Sequence, residues 1–317
     1  MINLMMGNFC MVFWGLSVIT GLSVNSGVIM WACMELNLLC FVFLLLVIND
    51  DCYSAVKYFL IQALGSILFL LSLMLEMTIS YSLFIIILLL AILLKLAMAP
   101  FQFWLVNLVK DINWLSFFFI SVFQKLLPLY VFMLVLSDVS GAVALIGVMV
   151  ASWGGMVTSQ LKVMLIYSSV LGVAWMISSQ SYSLALFFLF AYMVAFYYLG
   201  HLLWSMEAQT SGELGTWGLS SISRVGVFLS FLSMAGMPPF LGFFPKIFII
   251  YHAWAYASLF TLLVLLWGSM VFIYVYLRMC LAGMGWSSST SVMPFNVNSS
   301  IVFVLLLSSG SLLALLA

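Results

Sequence analysis

Lys95, Lys125 and Lys246 each stand inside a run that belongs in hydrocarbon: LLLAILLKLAMAPFQFW, FFFISVFQKLLPLYVFML and MPPFLGFFPKIFIIY. Glu35, in MWACMELNLLCFVF, is a carboxylate in the same setting. An ionisable group at the bilayer centre costs roughly 2.5–3.5 kcal/mol even on the mildest scale. A chain that keeps four has a use for them, and proton transfer is the chemistry that amines and a carboxylate share. Desolvation disfavours an ammonium and a nearby carboxylate favours it. The two effects oppose, so a small change in separation decides protonation. Two ammonium groups about 10 Å apart at an effective dielectric near 20 repel by roughly 1.7 kcal/mol. That is about a tenfold change in protonation, so charging one site pushes a proton off the next. Glu35, Lys95, Lys125 and Lys246 are therefore the candidate proton-translocating residues, expected to form a lateral file that water connects. The competing reading for each is a static pair, or an amine snorkelling to the interface. It weighs most for Lys246, which lies nearer the outer side.

The remaining ionisable groups are weaker. His201, in YYLGHLLWSME, reads first as a packed or interfacial histidine. Glu76, Asp138 and His252 fall at outer span ends, and Asp50 and Asp51 in the first inner loop. The five cysteines are scattered with no CxxC, so no zinc or iron–sulfur ligand set is expected. Gly212, Gly215 and Gly218 are glycine-spaced, but no strand precedes them, so no nucleotide site is expected. Formal net charge is zero, which excludes a basic face for nucleic acid. No cofactor or metal is expected in this chain.

The elements that must position these groups are membrane helices. Of 317 residues, 67% are hydrophobic and 5% charged, against about 25% charged in a soluble domain. About 20 apolar residues cross a bilayer as a helix. Windows of that length predict an all-α polytopic membrane protein with about eleven transmembrane helices. They lie near 2–22, 26–48, 55–77, 81–109, 114–136, 141–161, 163–180, 183–205, 222–251, 253–279 and 299–317. The stretches 206–221 and 284–299 are too short to fold alone. Lys57, Lys110, Lys162, Arg224 and Arg278 all fall on the N-terminal side of this scheme. The positive-inside rule then puts the N-terminus on the matrix or cytoplasmic side and the C-terminus outside.

Two segments match: Leu96-Ala-Met-Ala-Pro-Phe101 and Ala235-Gly-Met-Pro-Pro-Phe240. Five spans separate them, an odd number, so the copies cross in opposite directions, as in an inverted repeat. Proline removes one helical N–H and clashes with the carbonyl four residues back. The affected carbonyls are Leu96 for Pro100, and Met234 and Ala235 for Pro238 and Pro239. Backbone freed at membrane depth must line a cavity or be buried in protein. The expectation is two inverted five-helix repeats, about 2–136 and 141–279, with broken helices near Pro100 and Pro238/Pro239. A terminal helix follows at about 299–317.

These residues carry a resemblance. Met34-Glu-Leu-Asn37, Lys57-Tyr-Phe-Leu-Ile-Gln62, Lys95-Leu-Ala-Met-Ala-Pro-Phe-Gln-Phe-Trp104, Gln124-Lys-Leu-Leu-Pro128, Ser159-Gln-Leu-Lys162 with Tyr167-Ser-Ser169, and Gly236-Met-Pro-Pro-Phe-Leu-Gly-Phe-Phe-Pro-Lys246 occur in that order. Over about 30–250 the chain resembles the antiporter-like membrane-arm subunits of mitochondrial NADH:ubiquinone oxidoreductase (complex I), of the subunit 2 type. The resemblance implies one antiporter-like membrane domain over 1–317 in the mitochondrial inner membrane, N-terminus in the matrix and C-terminus in the intermembrane space. It implies proton translocation coupled to NADH oxidation and ubiquinone reduction elsewhere in the complex. FMN, iron–sulfur clusters and quinone would sit in partner subunits. The partners would be other membrane-arm and accessory subunits, and membrane lipids, cardiolipin among them. By motif position Glu35 takes the role of the carboxylate at the lysine pair and Lys95 that of the first-repeat lysine. Lys125 becomes the central lysine and Lys246 the lysine beside the second break. Two positions depart from the pattern: Gln102 and Gly172 stand where the family often has histidine. A subunit of a multisubunit cation/proton antiporter, or a non-pumping membrane module, are the alternatives.

Overall fold

The computed structural model describes residues 2–49, 52–76, 81–205, 210, 221–238, 240–256 and 259–283. The expected terminal helix at 299–317, the glycines at 212–218, Asp50, Asp51 and Pro239 lie outside these. The described chain is helical, with one isolated bridge between Gln160 and Thr210. It divides into two compact units, Met1–Ser140 and Gly141–Ala317.

In the first unit the helices are α1 (Ile2–Ser23), α2 (Gly27–Asn49), α3 (Cys52–Glu76), α4 (Tyr81–Lys95), α5 (Phe103–Val109), α6 (Trp114–Val122) and α7 (Leu126–Val135). Helix α2 packs between α1 and α3, α3 against α4, and α7 against α1 and α4. In the second unit they are α8 (Ser140–Val157), α9 (Leu161–Ser178), α10 (Tyr182–Ser205), α11 (Ser221–Ala235), α12 (Phe243–Tyr256) and α13 (Leu259–Gly283). Every residue of α9 except Lys162 is buried. A helix apolar on all faces belongs at the centre of a ring of others, and α10, α12 and α13 surround it.

Among the described residues seven segments are long and apolar enough to cross a membrane. Phe9–Ser23, Ser82–Lys95 and Val225–Ala235 are apolar but shorter. Large apolar side chains such as Phe9, Leu60, Trp153 and Leu263 face outward, while Ser54, Ser72 and Ser116 are fully buried. That is the pattern lipid selects: the solvent takes the apolar surface and polar groups turn inward. Buried hydroxyls find partners locally. Ser72, Ser168, Ser178 and Ser230 each donate to the carbonyl three residues back, which satisfies them without breaking the helix.

The spans near 81–109 and 222–251 are interrupted. At 15 residues, α4 and α11 each reach about 22 Å, short of a hydrocarbon core about 30 Å thick. The following limbs, α5 and α12, continue them. Two details differ from the sequence reading. The span at 114–136 is present as Trp114–Val135 but not as uniform α-helix: Phe123–Lys125 within it tightens into a 3₁₀ turn between α6 and α7. Pro128 explains it, since it cannot donate to the Gln124 carbonyl and its ring crowds that oxygen. The expected boundary at residue 252 is also passed over. Ile249 and Ala253, one turn apart and both buried, carry α12 on to Tyr256.

Candidate functional site

The two breaks share one backbone construction. In the first, the Met98 N–H donates to the Leu93 carbonyl at 3.0 Å and the Ala97 N–H to Leu94 at 3.2 Å. In the second, Met237 donates to Leu232 at 3.3 Å and Gly236 to Ser233 at 3.1 Å. A six-to-one bond enclosing a five-to-two bond is the Schellman helix stop, which needs a left-handed residue just past the helix. Ala97 (φ 52°) and Gly236 (φ 72°) supply it. A turn follows in both: Phe101 donates to Met98 at 2.7 Å and Phe240 to Met237 at 2.8 Å. The Ala99–Pro100 bond is cis.

A Schellman stop satisfies two of the last four carbonyls and leaves the ones nearest the end. At the second break Lys246, four residues into α12, donates its Nζ–H to the Ala235 carbonyl. This is one of the oxygens that the proline argument left without a helical donor. An ammonium also suits the negative end of the α11 dipole. The approach is tight: a Cβ on Gly236 would lie 2.8 Å from Lys246 Nζ, and one on Gly242 would lie 2.1 Å from the Ser233 carbonyl oxygen. Lys246 is half-buried, with Nζ 5.9 Å from the Trp175 ring centroid, within cation–π range. Snorkelling is therefore not what its stem does; it folds back onto the break.

In the first unit Lys95 is the last residue of α4 and 7% exposed. It sits at the stop, near the middle of the interrupted span at 81–109. Its stem crosses α3 at Gly65, where a Cβ would lie 3.0 Å from Lys95 Cγ and 3.5 Å from Cε. Glu35, half-buried on α2, acts on Lys95 through its charge. Among the described residues no ion pair joins the two within 4 Å. Lys125, 4% exposed, closes the 3₁₀ turn. The first unit thus holds Glu35, Lys95 and Lys125, and buries Lys125 at a second backbone irregularity. Lys246 belongs to the second unit.

Several buried polar atoms around these groups have no protein partner: Asn37 Oδ1, Gln102 Oε1 and Gln124 Nε2. Gln102, one of the two departures from the family pattern, is 1% exposed and follows the first break. A buried polar group left without any partner costs about 1–3 kcal/mol; in native proteins such groups are met by ordered water. A Cβ added at Gly172, the other departure, would meet Phe188 and Tyr192 at ordinary contact distances of 3.6–3.9 Å.

The weaker candidates lie apart. His201, Glu76 and Asp138 are exposed and His252 is half-buried. At the other ends of the helices Lys57 pairs with Asp111 at 2.8 Å and lies over the Tyr53 ring. Arg278 donates to the Met156 and Thr158 carbonyls at 2.7 and 3.1 Å, closing the C-terminal end of α8.

NADH-ubiquinone oxidoreductase chain 2 of Artemia franciscana is 31% identical over 231 residues, 73% of this chain and 75% of that protein. The chain 2 protein of Lumbricus terrestris is 29% identical over 288 residues, 85% of this chain and 84% of that one. A chain of respiratory complex I from Thermus thermophilus has the same fold (TM-score 0.79, 20% identity, 98% of this chain and 78% of that one). So does a chain of the Mrp complex from Dietzia sp. DQ12-45-1b (TM-score 0.79, 13% identity, 97% of this chain and 75% of that one). The family model for the membrane subunits of NADH:quinone oxidoreductases and Mrp antiporters matches residues 25–272. With its two helix stops and intramembrane lysines, the chain belongs to that family.

Proposed function

We propose that this chain is the chain 2 membrane-arm subunit of a mitochondrial complex I, moving protons across the inner membrane. NADH oxidation and ubiquinone reduction take place in other subunits. The observation that carries this is the pair of matched helix stops, at Ala97 and Gly236: Lys95 ends the helix at the first, and Lys246 donates to a carbonyl of the second. A stop at membrane depth exposes carbonyls to which protons and water can bind. Lys95, charged or neutral according to the distance of Glu35, is the entry pair. Lys125 is the central site and Lys246 the site at the second stop. The chain crosses the membrane eleven times, as two inverted five-helix repeats and a terminal helix. Its N-terminus is in the matrix and its C-terminus in the intermembrane space. Its partners are the neighbouring membrane-arm and accessory subunits, with cardiolipin-containing lipid around them.

The test is two-part. On native gels the chain should migrate in a very large NADH-oxidising assembly. In that assembly Glu35→Ala and Lys125→Ala should each lower NADH:ubiquinone turnover several-fold with assembly intact. Full turnover and full pumping in both variants would leave a structural membrane module. The second reading, a cation/proton antiporter subunit, is favoured by the fold shared with the Dietzia Mrp chain. It would appear as a small assembly whose activity depends on sodium.

A further inference from the structure

The central helix of the second unit carries a polar feature that the four charged residues do not explain. Every residue of α9 except Lys162 is buried, yet Ser168 and Ser169 stand near its middle. Their own protons are already placed. Ser168 donates to the Leu165 carbonyl and Ser169 to that of Ile166, both at 2.8 Å. Two phenols reach the same serines. Tyr192 of α10 has the Ser168 and Ser169 hydroxyls as partners, and Tyr276 of α13 has Ser168. A serine hydroxyl has one proton and two lone pairs. With both serine protons on carbonyls, the phenols are the donors, and Ser168 accepts from two helices at once.

Packing alone does not call for these oxygens. The Tyr192 ring stacks on Phe196 with centroids 5.5 Å apart, and Tyr276 lies against Phe231 and Phe272 at 5.4 and 5.8 Å. Phenylalanine would fill either place. The hydroxyls also lead somewhere. Ser168, Gly172 and Trp175, spaced four and three apart, share one face of α9 over about 10 Å. Trp175 closes that file with its ring centroid 5.9 Å from Lys246 Nζ. Gly172 offers no side chain in between, and a Cβ there would meet the Tyr192 ring at 3.9 Å. The Tyr192 ring therefore runs along this face, and it lines the same small cavity as Lys246.

We infer that Tyr276, Ser168 and Tyr192 form a hydroxyl relay across α9 that delivers protons to Lys246. At rest its hydrogen bonds all converge on the α9 backbone, so the relay is closed. Turning the Ser168 hydroxyl from Leu165 to Tyr192 opens it. Ser168 then takes the Tyr276 proton and gives its own to Tyr192, and Tyr192 passes its proton to the neutral Lys246 amine. An incoming proton replaces the one Tyr276 gave. Each hydroxyl ends with one proton, Lys246 gains one, and no bond between heavy atoms forms or breaks. The inference rests on the proton-translocating reading above and adds three residues to it.

Tyr192→Phe and Tyr276→Phe each remove one oxygen and keep the ring. In the assembled complex each should lower NADH:ubiquinone turnover about three- to tenfold. The groups act in series, so the double variant should be no slower than the slower single one. Ser168→Thr, which keeps a hydroxyl, should retain the turnover that Ser168→Ala loses. A merely structural cluster would lower the denaturation midpoint and leave turnover per assembled complex at the wild-type value, and that result refutes the relay. If the variants do not assemble, a high-resolution map of the wild-type complex decides: either phenol oxygen beyond hydrogen-bond distance of Ser168 Oγ overturns the proposal. If Glu35→Ala and Lys125→Ala pump normally, the proton-translocating reading fails and takes the relay with it. If those two lose pumping while both phenylalanine variants keep it, the relay alone fails.

Discussion

Gly236→Ala isolates the second stop. Gly236 has φ 72°, and an alanine held left-handed costs about 1–2 kcal/mol. The new Cβ would lie 2.8 Å from both Cε and Nζ of Lys246, and 2.9 Å from the Gly242 carbonyl oxygen. The lysine end can move away, but the Gly242 backbone is held against the Ser233 carbonyl and cannot. Moving the lysine breaks its bond to Ala235, a charged hydrogen bond of about 1.5–3 kcal/mol. The sum is roughly 2.5–5 kcal/mol, a large part of the 5–15 kcal/mol that holds a typical domain. The opposite change at the first stop is the control. Ala97 already sits at φ 52°, so Ala97→Gly relieves about 1–2 kcal/mol of strain. It adds about 0.4–1 kcal/mol of unfolded-chain entropy, a net effect near zero or slightly stabilising. The assay is the thermal midpoint of NADH-oxidising activity in the assembled complex, with native gels reporting how much assembles. Gly236→Ala should lower the midpoint and the yield, and Ala97→Gly should change neither. A wild-type midpoint for Gly236→Ala, or greater damage from Ala97→Gly, would refute the reasoning from backbone geometry.

Three further outcomes follow from the same contacts. Pro128→Ala restores a donor to the Gln124 carbonyl and lets the 3₁₀ turn relax to α-helix; the complex should assemble, with turnover reduced because Lys125 rotates with the turn. Arg278→Ala removes two bonds to the end of α8 and should destabilise by about 2 kcal/mol, measured as a lower denaturation midpoint with turnover per assembled complex unchanged. Lys57→Ala or Asp111→Ala breaks a pair whose side chains are 30% and 38% exposed; each should lower the midpoint only slightly, and less still at high salt, by the same assay.

The helix stops were legible in the sequence because proline acts through covalent geometry. Its missing N–H and its ring identify the carbonyls four residues back, and Ala235 is one that a lysine then takes. Other features were legible only in hindsight. Ala97 carries no signal of a left-handed backbone, since alanine usually avoids it; only its alignment with Gly236 points there. The 3₁₀ turn at Lys125 was announced by Pro128, but a proline three residues past a lysine reads first as a kink. Placing Lys95 at the stop required knowing that the helix ends before Ala97, not at Pro100. Composition fixes what faces lipid and cannot fix which inward polar groups lack partners.

The most direct test of the central claim counts protons. In proteoliposomes containing the assembled complex, protons translocated per NADH oxidised are measured for wild type and for Lys125→Ala. A buried ammonium that carries protons predicts a lower ratio, or turnover lost together with pumping. An unchanged ratio at unchanged turnover would contradict it and leave Lys125 as packing.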